Sequence, residues 1–150
     1  MSMRAAARHA GVSHNAPYRH FPDRDSLLAE LAVRGFSLLK KELEGSRGRE
    51  MGQAYVRFAL AQPELFRLMF GAQLRRERHP ALREAARDTF GVLVSAFRSE
   101  GAVADPDKAA AAAWCLVHGL AQLTLDGHFE RDEQLAGKVL SAVRFAQRSA

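Results

Sequence analysis

Two groups of residues in this chain have the types and spacing to do chemistry. The first is the stretch Gly11-Val12-Ser13-His14-Asn15-Ala16-Pro17-Tyr18-Arg19-His20-Phe21-Pro22-Asp23-Arg24. From Met1 to Pro22 there are three arginines, three histidines and no acid, so positive charge gathers where a polyanion would dock. Asn can pair with adenine at two atoms, His donates or accepts, and the Ala methyl can meet thymine. Ser13, His14, Asn15 and Ala16 therefore suit base edges in the DNA major groove. Tyr18, Arg19, His20 and Arg24 suit phosphates, with Arg4 adding a further cation.

The second group is Trp114 and His118, four apart and so on one face of a helix. They offer a ligand an indole donor and a titratable imidazole. A packed tryptophan beside a hydrogen-bonded histidine is the blander reading, and the commoner one for aromatics at helical spacing. Catalysis finds little support. Cys115 and His118 are three apart, but a single cysteine in an apolar helix is expected to behave as a small buried hydrophobe. His118, Asp126 and His128 do not fit metal-ligand spacing, because the helix is predicted to end between them. No catalytic residue, metal site or cofactor is assigned, and the chain is not read as an enzyme.

The elements that must position these residues are helical. Alanine, leucine and arginine dominate, β-branched residues are sparse, and no alternating strand pattern is sustained. Ser2 can cap a helix to about His9, Gly11 can end it, and Ser13 can cap the next. Ala7 and Gly11 stand at the spacing of a helix-turn-helix, with Val12 as its buried plug. Asp23 is predicted to cap a longer helix with Leu27, Leu28, Leu31, Ala32, Phe36 and Leu39 facing the core, broken at Gly45, Ser46 and Gly48. A helix from about Glu50 ends at Pro63, and a short aromatic segment, residues 65–70, ends at Gly71. Pro80 opens a helix that stops near Gly101, and Asp105-Pro106-Asp107 opens another that ends at Gly127. A final helix carries Leu135, Val139, Ala142, Val143 and Ala146 on one face.

Between Ala109 and Leu125 there is no charged residue. A helix apolar nearly all round must be covered nearly all round, and a small bundle covers only part of it. The remaining side is expected to meet a second copy of the chain, with the final helix joining a four-helix homodimer interface.

With 150 residues, 47% of them hydrophobic, the chain can bury an ordinary core, which excludes disordered and fibrous classes. A net charge of +5 and a pI near 10.0 favour anionic partners. The single cysteine excludes an intrachain disulfide. No apolar run reaches the length of a membrane span, and residues 1–10 lack an apolar signal core. These features predict a soluble, cytoplasmic protein with no membrane partner.

At Ser2-Met3-Arg4-Ala5-Ala6-Ala7-Arg8-His9-Ala10-Gly11-Val12-Ser13, then Ala16-Pro17-Tyr18-Arg19-His20-Phe21 and the leucines after Arg24, the chain resembles the TetR family of bacterial transcriptional regulators. Its second half resembles the subgroup with a Trp-His-Gly motif, here Trp114, His118 and Gly119 with Asp126-Gly127 beyond. The resemblance implies a homodimer that binds a palindromic operator in double-stranded DNA, most often as a repressor, and is released by a small-molecule effector of unknown identity. The expected fold is all-α: a helix-turn-helix DNA-binding head over residues 1–44, including a linking helix, then a ligand-binding and dimerisation bundle over residues 49–150. The family places one more helix before the one starting at Ser2, so the head is expected to be partial, with Met1 lying downstream of the true start. A chain without that helix would alternatively serve as a non-DNA-binding partner that antagonises full-length relatives. Candidate pocket residues are Tyr55, Phe58, Phe66, Met69, Phe70, Phe90, Trp114 and His118, because effector sites in helical bundles are apolar clefts with few polar anchors.

Overall fold

The Asp23 carboxylate accepts the Ser26 amide at 2.7 Å and so starts helix α1, Arg24–Glu44. The computed structural model describes Ser13 and residues 21–101, 103–132 and 134–143. Five more helices follow: α2 (Arg49–Ala61), α3 (Pro63–Phe70), α4 (Pro80–Glu100), α5 (Pro106–Leu125) and α6 (Leu135–Ala142), with a 3₁₀ turn at Arg76–Arg78. There is no strand among the described residues, and the fold is all-helical.

Local chemistry sets the boundaries. Pro63, Pro80 and Pro106 each occupy a first helical position, where the missing N–H is not needed. Asp105 accepts the Lys108 amide at 3.1 Å. Gly101, at φ 63°, ends α4 in the left-handed conformation that glycine adopts without strain.

The core lies between α1 and the rest. Phe36, Leu39, Phe66, Met69 and Leu82 are fully buried. On α1 the buried line is Ala29, Ala32, Gly35, Phe36, Leu39 and Leu43. Leu31, expected on that face, instead points outward and is 41% exposed. The cause is α3, whose Met69 comes so close that a Cβ on Gly35 would lie 2.5 Å from its sulfur. The close approach turns the Ala32-Gly35-Phe36 side inward and rotates Leu31 out.

Helices α1 and α4 run side by side in the same direction. His79 meets Asp25 at 3.1 Å at one end, and Lys40 stands 4.0 Å from Asp88 towards the other. Helix α5 returns antiparallel to α4, joined by Arg98 to Asp107 at 2.9 Å. Helix α6 lies on α2, its Leu140 against Gly52.

Cys115 departs from expectation. Cys115 is exposed on the outer face of α5, not buried, whereas Leu120 is 5% exposed and belongs to the chain's own core. The outward face of α5 runs through Ala112, Cys115, Gly119 and Leu123, and among the described residues no atom beyond Gly119's own stretch of helix lies within 4 Å of where its Cβ would sit.

Candidate ligand-binding cavity

Where α1 finishes and α2 begins, five helices leave a cavity of about 210 Å³. Leu43 supplies the α1 wall, Met51, Gly52 and Tyr55 the α2 wall, and Thr89, Phe90 and Leu93 the α4 wall; Ala113, Trp114 and Val117 come from α5 and Leu140 from α6. Phe90 and Trp114 stack at 4.9 Å between ring centres, 25° from parallel, which gives the cavity a flat aromatic wall. Arg49 and Glu100 stand at its rim, both exposed.

Behind that wall, three polar side chains from two helices satisfy one another. Trp114 Nε1 donates to Tyr55 Oη at 3.0 Å, and Tyr55 Oη lies 2.8 Å from His118 Nδ1. Burial raises the Tyr55 phenol well above its ordinary value and lowers the His118 imidazole, so at neutral pH both are uncharged. The bonds therefore join neutral groups and tie α2 to α5.

Thr89 ties the cavity to α1. Its buried hydroxyl lies 2.8 Å from the Ala85 carbonyl and 3.2 Å from the Phe36 carbonyl of the neighbouring helix. Phe70 forms a second link, edge-on to Phe36 at 5.3 Å, to His118 at 4.7 Å and to Trp114 at 6.1 Å. Arg76 closes this cluster, its guanidinium 5.7 Å from the Phe36 ring centre and donating to the Met69 carbonyl at 2.9 Å.

Of the residues expected in a pocket, Tyr55, Phe90 and Trp114 line this cavity. Phe58, Phe66 and Met69 are core, at 6%, 0% and 1% exposure. Phe70 and His118 are half-buried in the aromatic cluster beside it. Sequence reasoning missed Leu43, Thr89, Gly52 and the charged rim. Gly52 carried a usable signal, since a glycine inside an apolar helical face marks a close approach or a space.

Among the proposed DNA-contacting residues, Ser13 is exposed and Arg24 is exposed at the first position of α1. Arg4, His14, Asn15, Ala16, Tyr18, Arg19 and His20 lie outside the described residues. Among the described residues no group of His, Cys, Asp and Glu is arranged to hold a metal, and no helix is long and apolar enough to cross a membrane.

Comparison with known proteins bears on both halves of the chain. Residues 1–31 match the model of the bacterial regulatory proteins of the tetR family, and residues 49–143 match that of the tetracyclin repressor-like C-terminal domain. A protein of unknown function from Rhodococcus sp. RHA1 shares 33% identity over 95% of this chain and 80% of its own, with a TM-score of 0.77. The crystal structure of SCO4313, provisionally described as a regulatory protein, shares 25% identity over 94% of this chain and 83% of its own, with a TM-score of 0.73. No curated protein matches. With a regulator's DNA-binding segment at one end and the matching C-terminal domain over most of the remainder, this chain belongs to the TetR family of transcriptional regulators.

Proposed function

We propose that the protein is a homodimeric, cytoplasmic repressor of the Trp-His-Gly subgroup, which grips a palindromic operator and lets go when a small molecule enters the cavity described above. The observation that carries this reading is that α1 is shared. Leu43 near its C-terminal end lines the cavity, and its first turns, from Arg24 to Leu31, lie within the segment that matches the DNA-binding family model. Its 21 residues make a rod about 30 Å long at 1.5 Å per residue. A ligand that displaces Leu43 or the Thr89 link would tilt that rod and change the spacing of two recognition segments in a dimer.

In this reading Ser13, His14, Asn15 and Ala16 read bases, while Arg4, Tyr18, Arg19, His20 and Arg24 hold phosphates. The outward face of α5 through Cys115 and Gly119, with α6, forms the dimer contact.

Selection of genomic duplex fragments on the purified protein tests the proposal. The expected result is enrichment of a site with two-fold symmetry. Asn15→Ala should lose discrimination against random DNA, whereas Arg24→Ala should weaken both and lower the salt dependence by about one phosphate contact. Failure to enrich any fragment over random sequence at low salt would overturn it.

A further inference from the structure

The cavity's depth and its rim differ in chemistry. At the depth every polar group is already used. The Thr89 hydroxyl is held between the Ala85 and Phe36 carbonyls, the Trp114 indole N–H is donated to Tyr55, and the Tyr55 hydroxyl faces His118. A ligand atom that needs a hydrogen bond there would go without one, a cost that selects against buried polar substituents. The walls, with the stacked Phe90 and Trp114 among Met51, Leu93 and Val117, accept hydrocarbon. Size narrows the class. An engineered cavity of about 150 Å³ accepts benzene, so about 210 Å³ holds one ring or branched chain with a short linker.

The rim carries one charge of each sign. Arg49 opens α2 and Glu100 closes α4, and the Glu100 carboxylate lies 4.0 Å from where a Cβ on Gly48 would sit, which places it beside the start of α2. Neither side chain makes a hydrogen bond or ion pair with another described residue. A ligand with a lone carboxylate would gain Arg49 but face Glu100, and a lone amine would meet the reverse. A head carrying both charges answers both.

We infer that the cavity takes a small zwitterion of the α-amino-acid type, its ring-sized or branched hydrocarbon body buried and its ammonium and carboxylate at Glu100 and Arg49. The inference rests on the effector reading of this cavity and names the class of that effector.

Trp114 is the chain's only tryptophan and lines the cavity, so its emission reports occupancy directly. The purified protein is titrated with L-phenylalanine, L-leucine, 3-phenylpropionate, 2-phenylethylamine and glycine. The expected result is saturable binding of phenylalanine or leucine, about three- to tenfold tighter than either singly charged analogue, with none for glycine. Arg49→Gln and Glu100→Gln, both at exposed positions, should each erase that preference while leaving thermal stability unchanged. A singly charged analogue that binds as tightly as the amino acids, or no emission change with any probe, overturns the inference. A bound amino acid that leaves operator affinity unaltered upholds the ligand class and defeats the effector reading; release of DNA by a singly charged analogue alone does the opposite.

Discussion

Tyr55 Oη stands 2.8 Å from His118 Nδ1, joining α2 to α5 across 63 residues of sequence. Burial keeps the imidazole neutral, and the Trp114 N–H donates to the same phenol oxygen. The Tyr55 hydroxyl thus accepts from Trp114 and shares a hydrogen bond with His118 Nδ1. Tyr55→Phe keeps the ring and removes the hydroxyl, leaving an indole N–H and an imidazole nitrogen unpaired. A loss of about 1–3 kcal/mol in urea-unfolding stability is expected. An unchanged midpoint and slope would mean that water replaces the hydroxyl at no cost.

The same histidine makes stability depend on pH. In the unfolded chain His118 titrates near its ordinary value of 6.5, and burial lowers it in the fold. The contribution is fully present above 6.5, and it is lost as pH falls from there through the lower folded value, because only the unfolded chain takes up the proton in that window. The melting temperature should therefore drop more between about pH 7.5 and pH 5.5 in the wild type than in His118→Leu, which retains every other titrating histidine. Parallel losses in the two proteins would remove His118 as the cause.

Helix ends were legible in the sequence because each is set by one or two neighbouring residues. Asp23 and Asp105 accept the amides three residues on, and Gly101 takes the left-handed turn. The direction in which a helix faces was less legible. Leu31 fits an apolar stripe by spacing, yet Gly35 and Met69 decide which side of α1 is pressed inward, and that depends on a contact between residues 34 apart in sequence. The cavity was harder still. Its walls come from five helices, and a space is defined by side chains that stop short, so aromatic residues alone pointed as readily to solid core at Phe66 and Met69 as to the wall at Phe90 and Trp114.

The outer face of α5 predicts which substitutions separate assembly from folding. Leu120 lies inside the chain's own core, so a charge there would unfold the subunit and say nothing of dimerisation. Cys115 is exposed and Gly119 has open space above it, so Cys115→Arg and Gly119→Arg place a charge on the surface assigned to a second copy. Both variants should keep the helical circular dichroism of the wild type and run as monomers in light scattering. A dimer that survives both substitutions places the interface elsewhere.

Thr89 distinguishes binding from its transmission. Its hydroxyl faces the Phe36 carbonyl on α1 from a position on the cavity wall, so movement of α4 around a ligand is passed to α1 through a bond as well as through packing. Thr89→Val keeps the shape and removes that bond. Both carbonyls left behind lie within helices, so the expected cost is only about 0.5–1.5 kcal/mol of stability. The ligand should bind the variant within about twofold of the wild type, because the hydroxyl was already committed to carbonyls and was not available to it. The ligand's effect on operator affinity should shrink, since coupling is the difference in ligand affinity between the two DNA-binding states and part of the link between them is gone. Measuring ligand affinity with and without operator decides the matter. Equal coupling in the two proteins would assign the transmission to Phe70 and Leu43, which touch α1 or belong to it without that bond.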